Sequence, residues 1–292
     1  MTMEINLLSP VEVRQLLARH GLRPKKRLGQ NFLIDRNVLG KIIDAADLSA
    51  DSCVLEVGPG LGTVTKEAAG VAAKVVAVEA DRDLIPVLEE TVGGLPNVEI
   101  VSGDFLKLDL PEFLDSQFGD CRCTVVANLP YYITSPLIIK LLETKDRIDR
   151  MVVMVQQEVA DRMTAAPGSG DYGSLTVFIQ YHCEVKIAAH VKRTVFFPAP
   201  EVDSAVVRLD IRPEPAVSVP DETLFFKIVR ASFGQRRKTL LKSLSGSPDL
   251  GWTRETAGRV LETAKIDPIR RGETLSLEEF ATLARFGHNM VK

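Results

Sequence analysis

The feature of this sequence that most limits its fold is a series of four short apolar segments, each ending in a glycine-rich or polar cluster. The segments span residues 53–57, 74–78, 98–101 and 124–127. Apolar runs of this length predict buried strands. In a doubly wound parallel sheet the carboxyl ends of the strands lie at one edge, where such folds bind ligands. We therefore predict an α/β, Rossmann-like fold in which the four clusters face one crevice.

The first three clusters favour a nucleoside ligand. Gly58-Pro59-Gly60-Leu61-Gly62 precedes a predicted helix over about 63–69, and its spacing lacks the two-residue gap typical of dinucleotide binding. Glu79 can accept hydrogen bonds from both hydroxyls of a ribose, and Asp104 can accept one from an adenine amine. Taken singly, these residues also fit a tight turn and two surface carboxylates. The series indicates a nucleoside cofactor.

The fourth cluster, Asn128-Leu129-Pro130-Tyr131, suits the activation of a planar amine. The exocyclic amine of adenine is a poor nucleophile because its lone pair is delocalised into the ring. The side-chain oxygen of Asn128 and a backbone carbonyl of Asn128 or Leu129 could each accept one amine hydrogen and so localise that lone pair. Tyr131 could stack on a base that has left its own stack. The alternative is a simple turn that closes a strand.

These motifs, in this order, resemble the ribosomal RNA adenine dimethyltransferases. The residues that carry the resemblance are Gly29-Gln30-Asn31-Phe32-Leu33, Glu56 to Gly62, Glu79, Asp104, Asn128 to Tyr131, and Phe196-Phe197-Pro198-Ala199-Pro200-Glu201-Val202-Asp203-Ser204. The resemblance implies a class I methyltransferase sheet and S-adenosylmethionine as cofactor. It is strongest to bacterial members that act on small-subunit rRNA. It therefore also implies dimethylation of two adjacent adenines in a hairpin loop near the 3′ end, coupled to small-subunit maturation.

The resemblance also assigns roles to individual residues. It places the cofactor on Asn31, Leu33, Gly58, Glu79, Asp104 and Asn128, and the chemistry on Asn128, Leu129, Pro130, Tyr131 and Phe196. In the family, the positions of Tyr131 and Phe196 sandwich the target base. Phe197 leaves open which phenylalanine stacks, and core packing is the ordinary fate of both. Without the resemblance, residues 30–33 would be interpreted as a helix entry capped by Asn31 or Asp35.

The charge distribution fits RNA binding better than the net charge of −3 does. Two windows, 14–27 and 227–242, each contain six Lys or Arg residues and no acid. Such clusters can meet phosphates, although a solvated face explains either window alone. The residues we predict to contact RNA are Arg23, Lys25, Lys26, Arg27, Arg236, Arg237 and Lys238.

Three segments are predicted along the chain. Residues 1–27 would form a basic, helical N-terminal arm, 28–212 the cofactor-binding domain, and 213–292 a small all-helical domain that contacts RNA. The sequence Arg212-Pro213-Glu214-Pro215 marks the predicted linker, and helical spacing of apolar residues begins near Asp221. A chain of 292 residues is long enough for two cores.

Composition and residue spacing also indicate the cell compartment and whether metal sites or disulfides are expected. The sequence contains no apolar run of about 18 residues and no signal-peptide pattern, so we expect no membrane association and a cytoplasmic location. The four cysteines lack Cys-x-x-Cys spacing and the four histidines are scattered, so we expect neither a metal site nor disulfides. We expect a monomer whose partner is small-subunit rRNA within an assembling 30S particle.

Three alternatives remain open at this point. A large-subunit rRNA adenine methyltransferase conferring macrolide resistance would share the catalytic motifs, but as far as the resemblance goes it lacks the sequence Ser232-Phe233-Gly234-Gln235-Arg236-Arg237-Lys238-Thr239-Leu240. A nicotinamide-dependent oxidoreductase would share the glycine turn and Glu79 but has no use for residues 128–131. A ribosome-assembly factor that only binds RNA would keep the basic windows and need no pocket.

Overall fold

The computed structural model describes residues 5–128, 133–235 and 237–291, except for the side chains of Arg27 and Val291. The strands within these residues are β1 Phe32–Leu33, β2 Cys53–Val57, β3 Lys74–Glu79, β4 Val98–Ser102, β5 Cys123–Asn128, β6 Ile148–Gln156, β7 Cys183–Val191, β8 Phe196–Phe197 and β9 Ser204–Ile211. The α-helices are α1 Pro10–Arg19, α2 Arg36–Ala46, α3 Thr63–Ala69, α4 Ile85–Thr91, α5 Leu110–Phe118, α6 Thr134–Glu143, α7 Gln157–Thr164, α8 Ser174–His182, α9 Glu222–Gly234, α10 Leu240–Ser245, α11 Arg254–Thr263 and α12 Leu277–Val291.

Seven of the strands form one sheet in the order β4-β3-β2-β5-β6-β9-β7. The pairs β2–β3, β3–β4, β2–β5 and β5–β6 are parallel, and β9 runs antiparallel to β6. The chain moves outward from β2 in one direction through β3 and β4, then returns to the other side of β2 with β5. This reversal opens a crevice at the carboxyl ends of β2 and β5. The predicted Rossmann-like fold is confirmed.

The strand register aligns the predicted clusters at one level of the sheet. Val57 pairs with Val78 in β3 and with Ala127 in β5. The residues that follow these three are Gly58, Glu79 and Asn128, so they lie side by side at the top of the sheet. Parallel pairing thus brings together residues up to about 70 positions apart without any long side chain having to reach across.

The central strands form because their residues can be buried on both faces. Every residue of β2 is buried, and β3 is buried from Val75 onward. Val-rich segments favour such strands because branched side chains pack well on a pleated surface that is covered on both sides. The predicted strand at 53–57 and the predicted helix at 63–69 both occur as expected.

Helix α2 covers the sheet and is fixed at both ends. The Asp35 carboxylate caps its first turn by accepting from the Val38 N–H at 2.9 Å. At the other end, Arg150 and Arg208 donate to the carbonyls of Ala46 and Ala45. Asp35 is therefore the cap that the sequence suggested, but the segment before it is the strand β1 and not a helix entry.

The chain divides into two compact units, and this division differs from the predicted boundaries. Unit 1 comprises residues 1–160 and 186–211, and unit 2 comprises 161–185 and 212–292. Residues 161–185, which we assigned to the cofactor domain, belong to unit 2 because α8 packs into the helical core. The Tyr181 and Phe225 rings, for example, lie 4.9 Å apart. The sequence did not show this because strands β7, β8 and β9 separate the segment from the later helices.

The N-terminal segment is part of unit 1 and not a separate arm. Helix α1 begins at Pro10 and buries its apolar face, including Val13 and Leu16, against Phe32 and Leu61. Its basic residues occupy the exposed face, as an amphipathic helix requires.

Unit 2 is a helical domain with its own apolar core. Phe225 and Phe280, from α9 and α12, are fully buried there together with Leu240 of α10 and Val260 of α11. No helix in the described part of the chain is long and apolar enough to span a membrane.

Candidate functional site

The carboxyl ends of β2, β3 and β5 and the loop after β4 surround a cavity of about 490 Å³ in unit 1. Six consecutive residues, 28–33, form a further wall. The cavity is lined by all six residues that we predicted to bind the cofactor: Asn31, Leu33, Gly58, Glu79, Asp104 and Asn128. Their individual roles stay predictions, but the structure brings all of them to one space.

The glycine turn after β2 brings backbone to the floor of the cavity. Gly58 and Gly60 have φ angles of 74° and 61°, a left-handed conformation that other residues rarely adopt. A Cβ atom on Gly60 would lie 3.2 Å from the Phe32 ring. The turn therefore requires glycine at position 60 for its conformation and for its close approach to β1.

The Glu79 carboxylate is held in place at the end of β3. Its side chain is 7% exposed, and its two oxygens accept from the backbone N–H groups of Asp81 at 2.7 Å and Gly60 at 3.3 Å. Burial raises the pKa of Glu79, and the backbone hydrogen bonds oppose that rise. A fixed carboxylate at this position is suited to accept hydrogen bonds from two neighbouring hydroxyls.

A second buried acid, Glu56, was not assigned a role from the sequence. Glu56 lies within β2, is 3% exposed and lines the cavity. It accepts a 2.5 Å hydrogen bond from the Thr65 hydroxyl. Burial raises the pKa of Glu56 to about 7, and the nearby Glu79 carboxylate contributes to the rise. A charged residue in an otherwise apolar strand was the signal in the sequence, because such a side chain is rarely buried unless it is paired or has a function.

Asn128 is oriented by the wall opposite it. Its amide nitrogen donates to the Asn31 carbonyl at 3.1 Å, and the Asn31 amide donates to the Gly29 carbonyl at 2.9 Å. Holding the nitrogen in this way gives the amide oxygen of Asn128 the role of acceptor. Leu129, Pro130 and Tyr131, the rest of the predicted catalytic motif, lie outside the described residues.

Asp104 lies at an exposed edge of the cavity. One of its carboxylate oxygens accepts from the Leu106 N–H at 3.1 Å, which caps a short 3₁₀ turn. The other oxygen is 3.4 Å from the Lys107 ammonium. The capping bond fixes the carboxylate at the cavity edge, where an adenine amine could donate to it.

Phe196 and Phe197 occupy different environments, and neither lines the cavity. Phe196 pairs with Leu33 across the two-stranded β1–β8 sheet and is 4% exposed in the core of unit 1. Phe197 is half-buried, with the guanidinium of Arg14 5.3 Å from the centre of its ring. A base-stacking role for Phe196 would require it to leave the core, so that role stays a prediction.

The structure describes the side chains of five of the seven predicted RNA-binding residues. Arg23, Lys26, Arg237 and Lys238 are exposed, and the Arg27 side chain and Arg236 lie outside the described residues. Lys25 is different, because its ammonium lies 2.6 Å from a carboxylate oxygen of Asp81 and 2.6 Å from one of Asp83. The sequence could not reveal this pairing, since both acids are more than fifty residues away.

The family of the chain follows from comparison with known proteins. Residues 21–283 match the family described as "Ribosomal RNA adenine dimethylase". The chain belongs to this family. Curated relatives of the dimethylase include proteins named "Ribosomal RNA small subunit methyltransferase A" from Pelotomaculum thermopropionicum and Geobacillus thermodenitrificans. The first is 55% identical and covers 94% of this chain and 95% of the relative; the second is 50% identical and covers 97% of each.

Solved structures agree with the family assignment. A dimethyladenosine transferase from Plasmodium falciparum matches this dimethylase with a TM-score of 0.72 and 28% identity, over 86% of this chain and 95% of that one. The 23S rRNA methyltransferase ErmE matches with a TM-score of 0.68 and 30% identity, over 88% of this chain and all of that one. Membership in a methyltransferase family excludes the nicotinamide-dependent oxidoreductase.

The cofactor of this dimethylase is S-adenosylmethionine, and the residues that line the cavity fit it. Glu79 and Asp104, whose carboxylates can accept hydrogen bonds from hydroxyl and amine groups, line the cavity together with the backbone of the glycine turn. Two buried carboxyl groups, Glu56 and Glu79, face the same cavity, and a cation there would stabilise their ionised forms. When bound, this cofactor supplies an electrophilic methyl group carried on a positively charged sulfur.

Proposed function

We propose that this dimethylase acts on small-subunit rRNA within the assembling 30S particle. Its product would be two adjacent dimethylated adenines in a hairpin loop near the 3′ end. The observation that carries this proposal is 50–55% identity, over nearly the whole chain, to relatives named for the small subunit. The 23S rRNA methyltransferase, by contrast, is 30% identical. This difference favours the small-subunit substrate over the large-subunit alternative.

The chemistry that we propose depends on the position of the Asn128 amide. Its nitrogen is held by the Asn31 carbonyl, so its oxygen can accept one hydrogen of the adenine amine. A backbone carbonyl of Asn128 or Leu129 would accept the other hydrogen. These two hydrogen bonds would favour a tetrahedral nitrogen, which takes its lone pair out of conjugation with the ring and makes it available for in-line attack on the methyl group. No covalent intermediate with the protein is needed.

The other site residues would position the two reactants. Glu79, Asp104, Gly58, Asn31 and Leu33 would bind the cofactor, which is supported by their common position around the cavity. Tyr131 would stack on the flipped adenine. We assign RNA phosphate contacts to the exposed basic residues Arg23, Lys26, Arg237 and Lys238, together with Arg27 and Arg236.

A methylation assay tests the substrate and the chemistry together. Purified protein and radiolabelled S-adenosylmethionine are incubated with undermethylated small subunits, large subunits or naked rRNA, and the modified nucleotides are mapped. We expect label on two adjacent adenines of the small-subunit rRNA. Label on large-subunit rRNA alone would contradict the proposal. Asn128→Ala should reduce the single-turnover rate far more than cofactor affinity, and a near-normal rate would remove Asn128 from the mechanism.

A further inference from the structure

We propose that Lys25 is a positioning residue for the cofactor site and not a phosphate contact. Together with Gln30 and Asp81 it forms a closed ring of hydrogen bonds, here named the wall clasp. The clasp holds residues 28–33, which form one wall of the cavity, against the end of β3. This inference rests on the cofactor site and is independent of which rRNA is the substrate.

The ring closes through three contacts. The Lys25 ammonium donates to one carboxylate oxygen of Asp81 at 2.6 Å, and the Gln30 amide nitrogen donates to the other at 2.7 Å. The Gln30 amide oxygen accepts from the Lys25 backbone N–H at 2.8 Å. Each member thus contacts the other two. The Asp81 side chain is only 7% exposed and that of Lys25 is 25% exposed, so water competes weakly for these charged hydrogen bonds.

The clasp is connected directly to both halves of the active site. The backbone N–H of Asp81 donates to the Glu79 carboxylate at 2.7 Å, so Asp81 fixes the acid placed for the cofactor ribose. At the other end, Asn31 follows Gln30 and holds the Asn128 amide through its carbonyl. The short segment from Lys25 to Asn31 therefore links the cofactor carboxylate to the catalytic amide.

The wall needs such a restraint because it has little regular structure. Its last two residues, Phe32 and Leu33, form the short strand β1 and pair with Phe197 and Phe196. Before these, the chain reverses at Gly29, whose φ of 62° marks a left-handed turn. Strand pairing fixes one end of the wall, and the clasp fixes the other.

The local charge also disfavours a phosphate at Lys25. Its ammonium is shared between Asp81 and Asp83, so the three side chains together carry a net negative charge. These hydrogen bonds raise the pKa of Lys25, Asp81 contributing most, and so favour the charged form. A phosphate would have to compete with two carboxylates that are already in contact with the cation. The adjacent Lys26, which is exposed, is the better phosphate contact.

Substitutions at Lys25 and Lys26 distinguish a residue that positions the cofactor site from one that contacts phosphate. Lys25→Gln and Lys26→Gln remove the same charge from adjacent positions. Titration calorimetry with S-adenosylhomocysteine measures cofactor-site affinity, and RNA binding at several salt concentrations measures phosphate contacts. We expect Lys25→Gln to weaken the cofactor-site Kd by about tenfold and to leave the salt slope of RNA binding unchanged. Lys26→Gln should leave the Kd unchanged and make the salt slope shallower.

Further variants distinguish the clasp from a general loss of folding. Lys25→Arg keeps the charge and the ability to donate to the Asp81 carboxylate, and should leave the Kd within about twofold of the wild type. Asp81→Asn should weaken binding as Lys25→Gln does, and the double variant should be no worse than either single one, since all three break the same ring. A wild-type Kd in Lys25→Gln, or an equal loss of salt slope in Lys25→Gln and Lys26→Gln, would overturn the proposal.

Discussion

Replacing Glu56 by Gln should change how the stability of the protein depends on pH. The variant keeps an oxygen that can accept from the Thr65 hydroxyl, but it cannot ionise. In the wild type, burial raises the pKa of Glu56 from 4.5 to about 7. Between these two values the native state keeps a proton that the unfolded chain has lost. The stability of the native state therefore falls as the pH rises through this window.

The magnitude follows from the size of the pKa shift. One pKa unit corresponds to about 1.4 kcal/mol, so ionising Glu56 in the native cavity costs about 3 kcal/mol by pH 8. Part of this cost is already present at pH 5, because the unfolded carboxylate has begun to ionise there. The free energy of unfolding of Glu56→Gln, relative to the wild type, should therefore rise by between about 2 and 3 kcal/mol from pH 5 to pH 8.

Urea titrations without cofactor, followed by circular dichroism at several pH values, measure this difference. Because the comparison is between pH values, any constant effect of the new amide group cancels. Glu89→Gln is a matched control, since it removes a carboxylate from the exposed face of α4 in the same unit. The free energy of unfolding of this control should change with pH as that of the wild type does. If the unfolding free energies of Glu56→Gln and the wild type change in parallel between pH 5 and pH 8, the carboxyl group does not titrate as described.

Three further predictions concern the glycine turn, the sheet and the proposed RNA-binding residues. Gly60→Ala should cost about 1–2 kcal/mol because of the left-handed backbone, and it should weaken S-adenosylhomocysteine binding; an unchanged melting temperature and Kd would contradict this. Arg150→Met should destabilise the protein by about 2 kcal/mol, since it leaves the Ala46 carbonyl without its arginine donor and the Asp210 carboxylate with Arg208 alone; urea titration measures the loss. Charge reversal of Arg237 and Lys238 should lower the slope of log K against log salt by about 1 for each lost phosphate contact, and an unaltered slope would make these residues ordinary surface.

The sequence was most informative about features that depend on residues close together in the chain. Strand β2 and helix α3 could be predicted because apolar runs and their spacing determine which local conformations can be buried. The glycine turn between them could be predicted because only glycine adopts such backbone angles at low cost. Four such strand ends were enough to predict one cavity, since the carboxyl ends of parallel strands meet at one edge.

The resemblance to a family added what spacing could not. Asn31 and Leu33 line the cavity through a two-stranded sheet whose partner, β8, is more than 160 residues away. From local patterns alone, the same residues were interpreted as a helix entry. One part of that interpretation, the capping of a helix by Asp35, depends only on residues close in the chain. It was confirmed.

Tertiary structure alone decided which partners the charged side chains have and which residues share a core. Lys25 and Lys26 are adjacent and chemically identical, yet one is paired with two aspartates and the other is exposed. Phe196 and Phe197 are equally aromatic, yet they belong to different apolar clusters. Helix α8 belongs to unit 2 because Tyr181 packs on Phe225. The physical reason is common to all three: hydrogen bonds, ion pairs and burial depend on which distant segments folding brings within a few ångströms, and a local pattern contains no information about those distances.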